Sequence, residues 1–155
     1  MPHIHEQIDF TAEVFIVHQN KVLLRQHDKY KMWLSVGGHI ELDEDPNQAA
    51  VREVQEEVGL SVSLYYSGVI PLTRRETYQE LIPPMFLNRH RINDHHEHIS
   101  LVYFATATTD QLVLSETERS SGCKWFTREE LDDPTYALSE EVKRYARQAL
   151  AALGR

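Results

Sequence analysis

The feature that most constrains the fold is a helix whose two ends can be located from the sequence. Asp45 is a favourable N-cap residue, Pro46 suits the first helical position, and Gln48 stands where a capping box requires Glu or Gln. Gly59 suits the left-handed conformation that ends many helices. These signals predict a helix over residues 46–58. At about 100° per residue, its apolar positions form one stripe that must pack against a core: Ala50, Val51, Val54 and Val58.

Acidic side chains crowd the second half of this predicted helix. Glu53, Glu56 and Glu57 fall within one arc beside the apolar stripe, near the negative end of the helix dipole. The preceding loop, GGHIELDED, adds further acids and no Lys or Arg. Arg52 is the cation within the helix, and one guanidinium cannot offset so many carboxylates. A bound divalent cation would relieve the repulsion, because hard cations prefer clustered oxygen ligands.

The rest of the chain predicts a mixture of strands and helices. Apolar, β-branched runs predict a hairpin of strands 10–18 and 21–26, and a short strand in 31–41 runs into a double glycine that permits close backbone approach. The other predicted segments are a strand pair in 60–70, an irregular binding segment over 71–96, strands over 98–108 and 122–127, a short helix opened by a Thr127–Glu130 capping box, and a final helix capped by Ser139. Since no internal repeat or linker is found, we predict one α+β (mixed α/β) domain over 1–155.

Charge and cysteine content argue against several classes of function. The formal net charge of −8 disfavours a nucleic-acid backbone as the main partner, because such binding needs a basic surface. No apolar run approaches the ~20 residues that span a bilayer, and the N-terminus lacks the pattern of a secretory signal. Cys123 is the only cysteine, so an intrachain disulfide is excluded. We therefore expect a cytoplasmic protein with no membrane and no nucleic-acid partner.

Residues 38–60, GHIELDEDPNQAAVREVQEEVGL, resemble the Nudix box, the signature of the Nudix hydrolases. The family pattern is Gly, five residues, Glu, seven residues, Arg-Glu, an aliphatic residue, any residue, Glu-Glu, any residue, Gly and an aliphatic residue. This sequence fills every specified position: Gly38, Glu44, Arg52, Glu53, Val54, Glu56, Glu57, Gly59 and Leu60. Outside the box the similarity is looser, and Val36 stands where many relatives have proline.

The resemblance implies an α/β/α sandwich with a central mixed sheet, and a pyrophosphohydrolase that uses Mg²⁺, with Mn²⁺ as a substitute. Such an enzyme cleaves the diphosphate linkage of a nucleoside polyphosphate or a related nucleoside-diphosphate derivative. Arg52 is expected to orient the glutamates by ion pairing, and Glu44 to support them. Carried over by position, the implied metal ligands are Glu53, Glu56, Glu57 and a carbonyl of Gly37 or Gly38.

The resemblance leaves the water-activating base open. Glu53 is one candidate, while in many relatives the base or the last metal ligand lies outside the box. The candidates outside it are Glu80, Glu97, Glu116 and Glu118, of which we select Glu97.

The substrate is expected to be a small nucleotide or diphosphate, held by the loops 71–96 and 30–33. A cation for phosphate, a loop histidine and aromatic rings for stacking give five candidates: Arg25, Trp33, His39, Tyr78 and Phe86. Each has a competing role as a solvated side chain, a loop hydrogen-bonding group or a core residue. Histidines 90, 95, 96 and 98 are predicted to be exposed in a polar loop rather than to form a zinc site. The resemblance is compatible with a monomer or a homodimer.

Two rival functions belong to other classes. A nucleotide-binding module could keep the fold without cleaving its ligand, but such modules often lose box acids and here none is missing. An isoprenyl-diphosphate isomerase needs a catalytic cysteine beside a glutamate, whereas Cys123 lies late in the chain in a predicted strand. We therefore predict hydrolysis rather than binding alone or isomerisation.

Overall fold

A central β-sheet organises the fold. The computed structural model describes residues 4–27, 31–114 and 122–155. Two α-helices, α1 (Pro46–Val58) and α2 (Glu140–Leu153), accompany a 3-10 turn at Glu130–Asp132. The strands of these residues are β1 (Ile8–His18), β2 (Lys21–Gln26), β3 (Trp33–Leu34), β4 (Val36–His39), β5 (Val62–Leu64), β6 (Arg74–Arg75), β7 (Tyr78–Gln79), β8 (Phe86–Asn93), β9 (His96–Ala107) and β10 (Cys123–Phe126).

The main sheet is mixed, as predicted. Its strands run in the order β10-β2-β1-β9-β5, while β3 also pairs with β2, β4 with β1 and β8 with β9. β1 and β9 are parallel, from Ile8 opposite Glu97 to Val17 opposite Thr106. The other pairs in this sheet are antiparallel. With helices on both sides, this sheet confirms the α+β class.

The two helices cover opposite faces of the sheet, and alternate side chains of each strand point to opposite faces. We call these the α1 face and the α2 face. The α1 face packs in a cluster that includes Ala12, Val14, Ile16, Val36, Val54 and Val58. The α2 face packs in a second cluster that includes Phe15, Val17, Val102, Phe104, Tyr145 and Leu150.

The predicted hairpin between β1 and β2 is confirmed without the glycine that usually makes such a turn. His18 lies opposite Lys21, so the turn consists of Gln19 and Asn20. Gln19 takes a left-handed conformation with φ of 54°. Because both strands pack into the core on either side of the turn, burial offsets the strain at Gln19.

Two predicted segments are wrong. Within 60–70 only Val62–Leu64 forms a strand, so the strand pair predicted there is absent. The segment 71–96 is not irregular throughout, because it contains the β6–β7 hairpin and the whole of β8, which pairs with β9. β8 is a mostly exposed edge strand. Its polar and charged residues suit an edge and hide the strand signal in the sequence.

The chain leaves β10 through the predicted capping box. The Thr127 backbone N–H donates to Glu130 Oε1 (3.1 Å), and the Glu130 N–H donates to Thr127 Oγ1 (3.2 Å). Ser139 then caps α2 by accepting a hydrogen bond from the Val142 N–H (3.2 Å). In the described part of the chain, neither helix has the length and apolar character needed to cross a membrane.

Candidate active site

Helix α1 begins and ends where the sequence predicts. The Asp45 carboxylate accepts a hydrogen bond from the Gln48 N–H (2.8 Å), and the Gln48 side chain accepts one from the Asp45 N–H (2.9 Å). At the other end Gly59 has φ of 71°, and its N–H donates to the Gln55 carbonyl. These caps fix both ends of the helix, and with them the direction of each glutamate.

The glutamates of α1 occupy two environments rather than the single arc predicted. Glu53 is 2% exposed and Glu57 9%, because residues four apart lie on the same side of a helix. The Glu56 side chain is 60% exposed. Val51, predicted on the core stripe, is instead 39% exposed. The buried side of α1 therefore contains two carboxylates as well as apolar residues.

The double glycine of β4 allows two close approaches. A Cβ added at Gly38 would lie 2.5 Å from Glu53 Oε1, so the Glu53 carboxylate rests against the bare backbone of β4. A Cβ added at Gly37 would lie 2.2 Å from the Ala12 carbonyl oxygen of β1. Contact with a neighbouring group, rather than an unusual backbone angle, is thus the reason for glycine at both positions.

Arg52 connects the box acids to one another. Its Nε donates to Glu44 Oε2 (2.9 Å) and its Nη2 to Glu44 Oε1 (2.6 Å), a two-pronged ion pair. Nη1 donates to Glu53 (3.0 Å) and to Glu56 (3.1 Å). Nη2 also donates to the His39 carbonyl (3.1 Å). A planar guanidinium suits this task, because its N–H groups point in fixed directions.

A second guanidinium reaches the box from the sheet. Arg25 Nε on β2 lies 2.9 Å from Glu57 Oε2, and both side chains are largely buried. Arg52 is the cation beside the acids within the helix, as the sequence indicates, and Arg25 adds a second cation from β2. Strand pairing brings Arg25 to the helix, and the local sequence around the box gives no indication of it.

Electrostatics still disfavour full ionisation of Glu53. Burial raises the pKa of Glu53, although Arg52 and a hydrogen bond with Glu57 act in the opposite direction. Hydrogen bonds from Arg52 lower the pKa of Glu44, which therefore remains a carboxylate. The buried end of the box thus carries acidic oxygens that two guanidinium groups stabilise only in part.

Comparison with known proteins places this arrangement in a family. The model of the NUDIX domain matches residues 9–148. The chain belongs to the Nudix hydrolase family. A Nudix-family hydrolase structure from Clostridium perfringens is 34% identical, with a TM-score of 0.80 over 93% of this chain and 97% of that one.

Two curated relatives are longer proteins. The m7GpppN-mRNA hydrolase NUDT17 of Xenopus laevis is 30% identical over 131 residues, which is 79% of this chain and 42% of that protein. The NAD-capped RNA hydrolase NudC of Vibrio atlanticus is 39% identical over 61 residues, which is 37% of this chain and 23% of that protein. This chain therefore spans less than half the length of either relative.

The aromatic residues expected to stack on a base lie in different environments. Trp33 packs edge-on against Phe126, with ring centroids 5.1 Å apart, and also against Tyr136. Phe86 packs against Tyr145 at 4.9 Å. Both therefore make the core contacts that were their competing role. Tyr78 is 52% exposed on β7, with the Arg75 guanidinium 4.7 Å from its ring centroid.

Among the residues that the structure describes, Glu97, Glu80 and the His39 side chain have partners other than the carboxylates of the Nudix box. Glu97 forms a two-pronged pair with Arg89 (2.9 and 2.7 Å). The exposed Glu80 accepts a hydrogen bond from the Thr73 N–H. The His39 side chain is buried, with Nε2 3.2 Å from Asp9 Oδ2. Glu116, Glu118 and Tyr30 lie outside the described residues.

The sequence analysis did not predict a polar region on the α2 face. It also predicted the wrong solvent exposure for two of the histidines there. His96 is buried and His98 half-buried, both on β9, so the predicted exposure of these two residues is wrong, whereas His90 and His95 are exposed. Asp9 is fully buried near them. One signal was available: acidic Asp9 and Glu13 alternate with apolar residues on β1.

Proposed function

We propose that this Nudix chain is a divalent-metal-dependent pyrophosphohydrolase. It cleaves the diphosphate linkage of a nucleoside polyphosphate or of a related nucleoside-diphosphate derivative. The observation that carries the proposal is the pair of buried carboxylates, Glu53 and Glu57: Arg52 holds Glu53, which rests against Gly38 of β4, and Arg25 holds Glu57.

The residues present fit a hard divalent cation. Glu53, Glu56 and Glu57 offer carboxylate oxygens, and Gly37 or Gly38 offers a carbonyl, the ligand types that Mg²⁺ and Mn²⁺ prefer. Burial makes ionised Glu53 costly, and a cation would offset that cost. When bound, the metal supplies neutralisation of charge on the diphosphate oxygens and a bound water with a lowered pKa.

The roles of the protein groups follow from their contacts. Arg52 holds Glu53 and Glu56 in fixed positions and is itself anchored by Glu44. Arg25 holds Glu57 in the same way. Glu53 is the proposed base, which accepts a proton from the attacking water. Glu97 has a supporting role if its pair with Arg89 opens.

A cleft on the α2 face is the proposed seat of the nucleoside. Its volume is about 370 Å³, and it is lined partly by Glu13, Ser35, Asn88 and Tyr145. The cleft and the box carboxylates lie on opposite faces of the sheet, and β4 is the strand they share: Glu13 in the cleft lies opposite Gly37, and Gly38 contacts Glu53. Hydrogen-bonding groups beside an aromatic side chain are suited to a nucleobase.

We propose a class of substrates, the nucleoside-diphosphate derivatives, rather than one compound. Two relatives are named for capped RNA. In both names the cap carries an anhydride linkage, so the shared chemistry is cleavage of a phosphoanhydride next to a nucleoside. The net charge of −8 favours a small or cap-like substrate over tight binding to a long RNA backbone.

The proposal is tested by assaying a substrate panel with Mg²⁺ and measuring released phosphate, pyrophosphate and nucleoside monophosphate. The panel contains nucleoside triphosphates, oxidised nucleotides, dinucleoside polyphosphates, nucleotide sugars and short capped oligonucleotides. Glu56→Gln and Glu57→Gln should each lower kcat at least about 100-fold, as expected when a charge-stabilising group is removed. Glu97→Gln should have a smaller effect.

Glu140→Gln is the matched control, because that side chain is 83% exposed on α2. It should leave turnover unchanged. Full turnover in Glu56→Gln and Glu57→Gln would contradict the proposal. Tight nucleotide binding by the wild-type protein without any turnover would favour the binding-module function instead.

A further inference from the structure

A histidine cluster on the α2 face is not used by the hydrolytic reaction proposed above. We use this name for Asp9, His39, His96 and His98. Asp9, His39 and His98 each present a ligand atom, and these atoms all lie within 4.8 Å of one another. His96 Nε2 lies 3.3 Å from Asp9 Oδ2. Three strands of one sheet supply the four side chains, so their positions are fixed by the fold.

The register of the sheet explains why these residues meet. Asp9 of β1 lies opposite His98 of β9 in the parallel pair. His39 of β4 lies opposite Thr11 of β1, and therefore points to the same face as Asp9. Side chains carried on paired strands are held more precisely than side chains carried on loops.

The types of donor in the cluster favour a transition metal. Imidazole nitrogens with one carboxylate are typical ligands of Zn²⁺ and similar ions, whereas Mg²⁺ takes oxygen ligands. Bonds of about 2.0–2.1 Å to a tetrahedral ion place neighbouring ligand atoms roughly 3.3 Å apart. His39 Nε2 is already 3.2 Å from Asp9 Oδ2.

The surrounding hydrogen bonds also resemble those of a metal site. His96 Nδ1 lies 2.8 Å from the Glu6 carbonyl oxygen, and it must be the donor because a carbonyl only accepts. In the neutral ring, Nε2 then directs its lone pair at Asp9 Oδ2. Asp9 is held in turn by the N–H groups of Ile4 (3.2 Å) and His5 (2.7 Å). Backbone partners of this kind commonly orient metal ligands.

We propose that Asp9, His39 and His98, with His96 beside them, bind one transition-metal ion of the zinc class at a site separate from the box glutamates. The ion would connect residues 4–9 to β4 and β9. This site lies on the α2 face, whereas the Glu53 carboxylate rests against Gly38 on the α1 face. The proposal does not depend on the hydrolase function.

The alternative to a metal is a set of direct contacts between the imidazoles and the Asp9 carboxylate. The two are distinguished by titrating metal-free full-length protein with Co²⁺ in the presence of excess Mg²⁺, and recording the visible absorption of the cobalt. A tetrahedral site gives an intense visible band, whereas octahedral coordination by oxygen gives a weak one. X-ray absorption of the zinc-loaded wild-type protein then counts imidazole ligands directly.

We expect one Co²⁺ per chain with an intense band, and at least two imidazoles bound to zinc. The band should persist in Glu56→Gln, which disturbs the box. In His98→Gln the affinity should fall at least about 100-fold, since even loss of a partner to a ligand costs 10–100-fold. His95→Gln is the matched control, because its ring is exposed, and should keep the band.

Three results would overturn the proposal. The first is wild-type protein with no intense band and no zinc-bound imidazole, which needs no variant and so holds even if His98→Gln does not fold. The second is a band that is lost in Glu56→Gln and retained in His98→Gln. The third is equal loss of affinity in His95→Gln and His98→Gln.

Discussion

Gly38 and His39 are neighbours on β4, yet they belong to two different polar sites on opposite faces of the sheet. Gly38 lies next to the acidic box on the α1 face, and its lack of a side chain makes room for Glu53. His39 belongs to the histidine cluster on the α2 face. In the box, guanidinium groups partly balance buried carboxylates. In the cluster, imidazoles surround one buried carboxylate.

The difference shows that a polar site can be built from residues close together in the sequence or from residues far apart in it. The acids of the box come from one helix, so residue spacing alone brings them together. The histidine cluster needs β1, β4 and β9 to pair in one register before any of its contacts exist. A substitution in the box should therefore lower mainly the rate of turnover. A substitution in the histidine cluster should lower mainly the stability of the sheet.

The largest effect is expected from alanine substitutions at the two glycines of β4, which should differ in whether they lower stability or turnover. Gly37→Ala places a methyl group against the Ala12 carbonyl oxygen, and a sheet backbone cannot move away. We expect the free energy of unfolding to fall by about 3 kcal/mol or more. Gly38→Ala meets the end of the Glu53 side chain, which can shift, so turnover should fall about 100-fold with a smaller loss of stability.

Urea unfolding and Mg²⁺-dependent turnover of both variants measure this contrast. If Gly38→Ala kept wild-type turnover, the close approach of Glu53 to β4 would have no catalytic importance.

Asp9→Asn should have the next largest effect, on stability rather than on turnover. Both Asp9 oxygens accept backbone N–H groups, and Oδ2 also faces two imidazoles. An amide replaces one acceptor by a donor and removes the charge, so we expect a loss of about 2–3 kcal/mol. Thermal and urea unfolding in the presence of a chelator measure it, and an unchanged stability would show that the cluster does not hold the sheet.

Arg52→Lys tests whether the contacts of Arg52 in the box are needed for turnover. Lysine keeps the charge but loses the two-pronged pair with Glu44 and cannot reach Glu53 and Glu56 together. We expect kcat to fall about 10- to 100-fold, with only about 1 kcal/mol lost in stability. Arg147→Lys, in an exposed pair with Asp132, is the matched control and should leave both values near those of the wild type.

The smallest effect is expected at an ion pair outside both sites. The Lys124 ammonium and the Thr127 N–H lower the pKa of Glu130 to about 2. Since the pKa is lowered in the folded state, the stabilisation is complete above pH about 4.5 and is lost as the pH falls toward 2. Both side chains are 30% exposed, so solvent screening limits this stabilisation to about 0.5–1 kcal/mol.

Glu130→Gln should lose this part of the acid dependence in unfolding experiments at pH 5, 4 and 3. A wild-type slope in the variant would assign it to other carboxyl groups.

Local signals predicted what depends on local structure. Asp45, Gln48 and Gly59 fix the bounds of α1, and the Thr127–Glu130 capping box forms as expected. Strand pairing places Arg25, the candidate phosphate cation, against Glu57. Nothing within a few residues of either side chain indicates that pair.

Patterns that depend on the whole sheet were the ones misinterpreted. β8 is an edge strand with a run of four polar residues, 88–91, and such a run in the sequence predicts a loop. His96 and His98 appear to belong to the same loop until the parallel β1–β9 pair places them beside Asp9. Periodicity likewise placed Val51 in the core, whereas α1 presents Glu53 and Glu57 to the sheet.

The most direct test of the central claim, that the box acids hold a divalent cation, is an anomalous-difference map from crystals soaked in Mn²⁺. The expected map shows a peak about 2.0–2.3 Å from carboxylate oxygens of Glu53, Glu56 or Glu57, with the side chains drawn toward it. A map without a peak at α1, with Glu56 directed into solvent and Glu53 still bonded to Arg52, would contradict the metal-dependent reaction.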